Sequence, residues 1–556
     1  MSRRMSETFF YTIFGTQYSS FHPGHDKDNP SLDRGSARDT VHSRDYPESI
    51  ICYDGLYLVK NYTFQGRYVM KRGKRLELIW VLLLTMSIGL TGCATHDVEV
   101  SQPVDLPERF SNSGGDTVPD RWWREFDDPA LNELVSEALD NNFSLKQAWN
   151  RLAEARALIV QAEADLFPTL DVTASGDIRD QDNNNVDETT ETTQLEGVAR
   201  YEVDLWGRIE SAVEATEFAE RARRTDVRAA AISLSAEVAR TWYQLVEQYA
   251  QLTVIEEQIR TNDQLYRILQ NRYKFGRSRA ADVLRQERLL VSTREQKSAV
   301  QSRIGVLENA LAVLVGKPPQ DTVNPHKERF PKIPSIPNTG LPGQLVNRRP
   351  DVRSAFFEMK QADRRVAEAV ANQYPRLELT ASASTTGGDE AELFNNWLRT
   401  IAADLAIPLL DANDREAQVA QQKAVLARKL NEYGEAVLES FQEVEDALIQ
   451  EQKQREQLRS TEKQLNLANR TVSLLRQQYI NGTADFLDVI DSLRNEQRLE
   501  RDLLSARRET VEFRIGLYRS LAGGFDTPRP DRMEKLNVSS FPESVTPRAL
   551  FKKGDK

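Results

Sequence analysis

The apolar positions of the chain follow two periods, and the switch between them occurs twice. Residues from about 143 to 166 and from about 351 to 373 are rich in alanine and charge, and they predict helices. Each stretch ends at a proline, Pro168 or Pro375, where the pattern becomes strict alternation. Leu170, Val172 and Ala174 alternate with Asp171, Thr173 and Ser175; Leu377, Leu379, Ala381 and Ala383 alternate with Glu378, Thr380 and Ser382. Period two predicts strands with one apolar and one polar face. Polar loops are expected over Asp180–Gln194 and Thr385–Asn396. Alternation then returns at Leu195, Gly197, Ala199, Tyr201, Val203 and Leu205, and again at Ile401, Ala403, Leu405, Ile407 and Leu409.

The two halves are copies. The segment Ala164–Ser175 recurs as Ala371–Ser382, with Pro168 matched to Pro375, an offset of 207. Tyr273, Gly276 and Asp282-Val283-Leu284 recur as Tyr479, Gly482 and Asp488-Val489-Ile490, an offset of 206. Two anchors about a hundred residues apart with nearly one offset identify a tandem duplication.

After its second strand each half enters a proline-free stretch, about 208–275 and about 411–481. Roughly 68 residues of helix span about 100 Å. Gly276 and Gly482 end these helices as left-handed caps, and Ser278 and Asp485 are the expected N-caps of the returning helices, about 280–315 and 486–522. A returning helix of about 54 Å stacked on an entering helix of about 36 Å nearly matches the long helix beside it. The pattern asks for a wall of antiparallel helices with hairpin tips at one end and strands at the other. Strands of about 10 residues with one apolar face fit a tilted membrane barrel. Alternation is equally common in half-buried soluble sheets. Four strands cannot close a barrel, and open edges are not tolerated in lipid, so a barrel would need several chains.

The start of the chain decides between those settings. Lys71, Arg72, Lys74 and Arg75 precede the apolar run Ile79–Leu84, and Leu90-Thr91-Gly92-Cys93 follows. A basic region, a short apolar region and small residues before the cysteine form a signal peptide. Leu90-Thr91-Gly92-Cys93 resembles the bacterial lipobox, which implies that Cys93 is the acylated first residue of the mature chain, the alternative being a short membrane anchor with a chance cysteine. Ala94, rather than an aspartate, follows the cysteine and favours the outer membrane. Residues 1–69 read as a mis-called start or a disordered leader, 70–92 as the signal peptide and 93–120 as a linker; 121–340 and 341–525 are the two repeats, and 526–556 a disordered tail. The whole chain carries a formal charge of −11, and removing the first 92 residues leaves −14, which makes a poor nucleic-acid binder. Of five histidines only His96 and His326 lie in the mature chain, outside any ligand-spaced cluster, and no phosphate-binding glycine loop occurs. These features argue against an enzyme, and no cofactor is expected beyond the covalent lipid on Cys93.

Three blocks carry a family resemblance: Trp122-Trp123-x-x-Phe126-x-Asp128-Pro129, Tyr201-Glu202-Val203-Asp204-Leu205-Trp206-Gly207-Arg208, and Asn347-Arg348-Arg349-Pro350-Asp351-Val352-Arg353. In this order on a duplicated chain they resemble the TolC/OprM-like outer membrane factor family, in its lipid-anchored efflux branch. The resemblance covers about Arg121 to Gly523. It implies a mainly α fold with membrane β: four barrel strands and very long antiparallel helices per protomer. Three protomers would form a twelve-stranded β-barrel on a twelve-helix α-barrel. It also implies a homotrimer, a periplasmic adaptor, and an inner-membrane efflux pump of the resistance-nodulation-division class.

Asp488 and Asp491 stand i, i+3 on the second returning helix and share a face. They are either acidic residues complementing a helix N-terminus or, as the resemblance implies, an acidic ring at the duct's aperture. Their half-one equivalents are Asp282 and Arg285, so the two hairpins are not interchangeable. The family's closing contacts join a tyrosine and an arginine on one tip to an aspartate on the other. Tyr479 and Asp282 match, but Ala484 holds the arginine's position, leaving Tyr479 or arginines such as Arg277 and Arg279 to form any latch. Gly276, Arg277, Ser278, Gly482, Thr483 and Asp485 form the expected adaptor-docking tips. An outer-membrane channel for protein secretion or metal export, and a periplasm-spanning coiled-coil scaffold without a channel, are the rival readings.

Overall fold

The computed structural model describes residues 104–525 apart from 106, 184–185, 320–329, 389–392 and 523–524. The leader, the signal peptide, Cys93 and the tail lie outside the described residues.

A two-residue strand β1 (Asp116–Thr117) and a single 3-10 turn, Trp122–Phe126, lead into α1 (Pro129–Asn141) and α2 (Phe143–Ala164). The hairpin β2 (Thr169–Asn183) and β3 (Val186–Val203) follows, then the 67-residue α3 (Arg208–Lys274) and its return α4 (Ala280–Leu314). A second two-residue strand, β4 (Pro337–Asn338), pairs in parallel with β1, and a short α5 (Pro342–Arg348) opens the second half. There α6 (Pro350–Ala371), β5 (Arg376–Gly387), β6 (Trp397–Ala406), the 67-residue α7 (Asp414–Ile480) and α8 (Phe486–Leu521) repeat the order of the first.

Local chemistry sets the boundaries. The Asp128 carboxylate accepts from the backbone N–H of Ala130 and Leu131 and caps α1, with Pro129 in the first turn. Asn142 closes α1 and caps α2, its amide also donating to the Leu314 carbonyl at 2.9 Å, which ties the end of α4 to this corner. Gly316 turns there at φ 78°, and a Cβ would stand 2.7 Å from the Asn141 carbonyl oxygen, so only glycine fits. Arg279, not Ser278, is the N-cap of α4, because the Asp282 carboxylate accepts from the Arg279 backbone N–H at 3.3 Å. Asp485 does occupy the N-cap position of α8, but its side chain makes no capping bond.

The loop expected over Asp180–Gln194 is not a loop. β2 and β3 pair continuously from Thr169↔Arg200 to Asn183↔Val186, giving strands of 15 and 18 residues rather than about 10. The ladder needs only backbone groups and a β-competent chain, and four threonines between Thr189 and Thr193 supply the second. In the second half the strands are 12 and 10 residues, with the connection where it was expected.

The main core surrounds the middle of α3. Trp122, Trp123, Phe126, Tyr243 and Tyr518 form a cluster of edge and stacked ring contacts, and Trp242 donates to the buried Asp128 at 3.0 Å. Beside it Arg514 is fully buried, donating to both oxygens of Glu451 and to the carbonyls of Pro334 and Ser335 in the inter-repeat linker. Arg349 is a second buried hub, paired with Asp351 and Glu443.

Before α7 the chain turns through Ala412 (φ 51°) and Asn413 (φ 67°), whereas the matching turn before α3 uses Gly207 (φ 70°). A left-handed alanine costs about 1–2 kcal/mol. Allowing for the greater freedom of glycine in the unfolded chain, Ala412→Gly is expected to stabilise the protein by about 0.5–1 kcal/mol, read as a higher thermal midpoint. An unchanged or lower midpoint would contradict the strain.

Candidate functional site

Two features face function: the sheet at one end of the long helices and the hairpin tips at the other. The sheet is antiparallel in the order β2-β3-β5-β6, so β2 and β6 are edges, each paired on one side only. Its register builds one apolar face: Leu170, Ala199, Ala381 and Ile401 lie in one row, and Val203, Leu377 and Leu405 in another. The opposite face carries Arg200 beside Asp171 at 3.5 Å and the row Glu202, Glu378 and Asp404. Large apolar side chains stand in solvent on the first face, with Leu170 at 72% and Ile401 at 91% exposure. A sheet wet on both sides would not leave them so; lipid on one side and water on the other suits this distribution.

The strand-to-helix signature is the joint between sheet and helices. Asp204 accepts from the backbone N–H of Arg208 at 2.7 Å and of Glu210 at 2.8 Å, capping α3 in place of a side chain on Gly207. Trp206 stacks on Tyr374 at 4.8 Å and donates to the Pro375 carbonyl, joining the end of one half to the start of the other. The Arg208 guanidinium is raised above its ordinary range by its bond to Glu202, in spite of the burial that opposes it.

Both tips close with the same motif. Gly276 (φ 71°) and Gly482 (φ 77°) reverse the chain, while the N–H groups of Arg277 and Thr483 reach back to the carbonyls of Arg272 and Gln478. Gly276, Arg277, Gly482, Thr483 and Asp485 are exposed, and Ser278 is half-buried. The tips differ in charge. The first carries Arg272, Lys274, Arg277, Arg279 and Arg285 around one Asp282; the second carries Asp485, Asp488 and Asp491.

The structure places the four gate candidates unequally. Asp282 is buried, between Arg279 at 3.4 Å and Arg285 at 3.2 Å of its own hairpin. Tyr479 packs on Phe486 and lies under the Arg272 guanidinium, 5.0 Å from its ring centre. Asp488 is exposed, and Asp491 is exposed with Arg494 at 3.8 Å. The hairpins are bridged by a contact that sequence reasoning missed: Arg279 Nη2 donates to Asp485 Oδ1 at 2.9 Å. The opposite charge of the two tips was the signal for it. Asp282 first and Asp485 second hold the Arg279 guanidinium above its ordinary range.

Above the tips the seam between hairpins changes character. Leu269, Phe486, Val489 and Ile490 seal its lowest part. Higher up, Asn262 and Gln497, both buried, exchange amide hydrogen bonds at 3.0 and 3.3 Å, and Asn262 also donates to Thr293. Gln258 continues this polar line, accepting from Arg501 at 2.6 Å. Burial, and the neighbouring Arg498, lower the Arg501 pKa.

No group of metal-ligating side chains occurs among the described residues, and no helix among them is long and apolar enough to cross a membrane.

The profile of the outer membrane efflux protein family matches residues 134–317 and 341–523, once in each half. The chain belongs to the outer membrane efflux protein family. It is therefore an outer-membrane exit duct, of a family of channels rather than of enzymes, whose members work with an adaptor and an inner-membrane pump. The cation efflux system protein CusC of Escherichia coli K12 is 28% identical over 463 residues, covering 80% of this chain and 99% of its own. The pyoverdine export outer membrane protein OpmQ of Pseudomonas aeruginosa is 26% identical, covering 82% and 98%. The solved structure of CusC superposes with a TM-score of 0.68 at 27% identity, covering 77% of this chain and 99% of that one. The outer-membrane channel OprN gives 0.71 at 25% identity, over 77% and 98%. The relatives' names point to different cargoes.

Proposed function

We propose that three copies of this chain form a single duct, a twelve-stranded barrel in the outer membrane continuous with a twelve-helix periplasmic tunnel. The observation that carries this reading is a four-stranded sheet with both edges open, standing on two 67-residue helices. Open edges in lipid demand partners, and three such sheets make a barrel of ordinary size. Cys93, once acylated, anchors the assembly to the inner leaflet of that membrane. A periplasmic adaptor docks on the tips, and a pump of the resistance-nodulation-division class drives small molecules into the tunnel. The duct does no covalent chemistry. The rival of a scaffold without a channel is disfavoured by the membrane-type sheet.

The tips form the gate in this proposal. Asp488 and Asp491 of three protomers line the aperture, and Arg279 with Asp485 latches one hairpin to the other. Asp282 acts indirectly, by holding Arg279 and Arg285 in place. In planar bilayers the wild-type duct should show a small conductance, and Arg279→Ala or Asp485→Ala should enlarge it several-fold. Arg279→Lys, which keeps a cation beside both Asp282 and Asp485, should stay close to the wild-type level. Equal conductance in all four proteins would remove this pair from the gate. Absence of any channel in reconstituted trimers would count against the duct itself.

A further inference from the structure

We infer that a second copy of this chain adds its β2 to the open edge of β6 in one particular register, which seats Arg399 opposite Asp180 of the partner subunit. The inference rests on the trimeric reading above and goes beyond it by naming the contact.

The chain contains a template for this junction. Within a protomer, β3 at the end of the first half pairs with β5 at the start of the second, from Thr193↔Gly387 to Val203↔Leu377. β5 repeats β2 at an offset of 207, fixed by Pro168 and Pro375. β6 repeats β3 at an offset of 206, fixed by Gly207 and Asn413, the left-handed residues that stand before the two long helices. If the repeats continue around the barrel, the next junction joins β6 to the following copy's β2 in the translated register. Arg399 then faces Asp180, Ile401 faces Ile178, Ala403 faces Gly176 and Leu405 faces Ala174 of the partner subunit.

Two observations not used in that translation agree with it. The first is the pleat. A slip of one residue would turn the apolar row of β6 against the polar row of β2, and the translated register avoids this. The second is charge. Arg399 is the one charged residue among Trp397, Arg399, Ile401, Ala403 and Leu405 on the apolar face of β6. It is exposed, and among the described residues it has no carboxylate partner in its own protomer. An unpaired arginine on a lipid-facing strand is destabilising. Asp180, likewise exposed, holds only a long 3.3 Å bond from Thr189. The register derived from the repeat brings these two groups together, whereas a slip of two residues in one direction would set Arg399 against Ile178. Beyond β6, Ile407 (53% exposed) and Leu409 (84%) continue into line with Val172 (70%) and Leu170 (72%) of the partner subunit, extending the apolar face.

Cysteine cross-linking in native outer membranes tests the register. Ile401→Cys with Ile178→Cys probes the outer face, and Ala402→Cys with Asp177→Cys the inner face. Directly opposed residues alternate between the two ladder sites, so one of these pairs occupies the closer, non-hydrogen-bonded site. Within one protomer β3 and β5 separate the two strands by three spacings of about 4.8 Å, too far for a disulfide. Oxidation should therefore yield covalent dimers and trimers for at least one pair. The slipped pairs Ile401→Cys with Gly176→Cys, and Ile401→Cys with Asp180→Cys, should remain monomers on a non-reducing gel. Arg399→Asp and Asp180→Arg should each lower the temperature at which the detergent-solubilised assembly dissociates, and the combined exchange should restore it. Cross-linking of a slipped pair in preference to the in-register pairs overturns the register. So does failure of both in-register pairs in a complex whose mass is that of three chains, and the trimer then survives. A mass of one or two chains removes the trimeric reading, and the inference falls with it.

Discussion

If Asp488 and Asp491 ring the aperture as proposed, the wild-type duct is expected to prefer cations, and replacing both by alanine should bring its permeability ratio close to unity. The two carboxylates stand i, i+3 at the start of α8, both exposed in the protomer, and Arg494 is the nearest counter-charge to Asp491 at only 3.8 Å. Neither is consumed by packing or by a strong ion pair. In the proposed assembly three copies of each crowd a narrow opening, where rings of negative charge attract mobile cations. Replacing either with arginine should turn the preference towards anions. Reversal potentials across a salt gradient in planar bilayers measure both effects. Arg285→Ala, the half-one counterpart of a change at Asp491, is not a neutral control, because Arg285 holds the buried Asp282. Glu462→Gln serves better: that carboxylate is exposed on α7, paired with Arg507 at 3.5 Å, well away from the tip. A cation preference that survives in the double alanine variant would reduce Asp488 and Asp491 to charges complementing a helix N-terminus.

Removing one member of the Arg514–Glu451 pair is expected to destabilise the protein by about 3–5 kcal/mol, the usual result of leaving a buried charge alone. Arg514 is 0% exposed and Glu451 1%, and the guanidinium spends its remaining donors on the carbonyls of Pro334 and Ser335 at 2.9 and 2.8 Å. Its pKa is raised by the Glu451 bond and charge, although burial opposes the shift. The arginine therefore clamps α8 to α7 and pins the linker between the repeats against both. Arg514→Met leaves Glu451 buried with only the part-exposed Arg455, 2.7 Å away, as counter-ion, whereas Glu451→Leu leaves the buried Arg514 with no carboxylate and is the costlier of the two. Both single variants should lose thermal stability and expose the linker to protease. The double variant should recover much of the lost stability, because an apolar pair of similar volume needs no compensation. Single variants as stable as wild type would show that water reaches this pair.

The duplication, the order of elements and the long helices were legible in the sequence because local signals encode them. Proline forbids helix interiors, glycine at Gly276 and Gly482 permits the left-handed turn, and the apolar period separates strand from helix. The tips were therefore placed to within a residue, the N-cap of α4 being Arg279 rather than Ser278. The extension of the β2–β3 hairpin through Asp180–Gln194 was not legible, because its pairing rests on backbone groups that a polar composition conceals.

What the sequence by itself determined is which residues stand at the tips and on the apolar strand face, since spacing along one element fixes both. Tertiary structure alone decided which of them meet. Arg279 and Asp485 are 206 residues apart, as are Arg272 and Tyr479 on different hairpins to within one residue, and only the packing of α3 against α8 brings either pair into contact. Asp282 and Asp488 are equivalent positions of a repeat, yet one is buried between two arginines and the other stands in solvent. The β1–β4 pair, two residues on each side, is too short for any periodic signal and exists because the linker is held where Arg514 binds it. A titratable group's role depends on the charges and the solvent around it, and those come from elements that are distant in sequence.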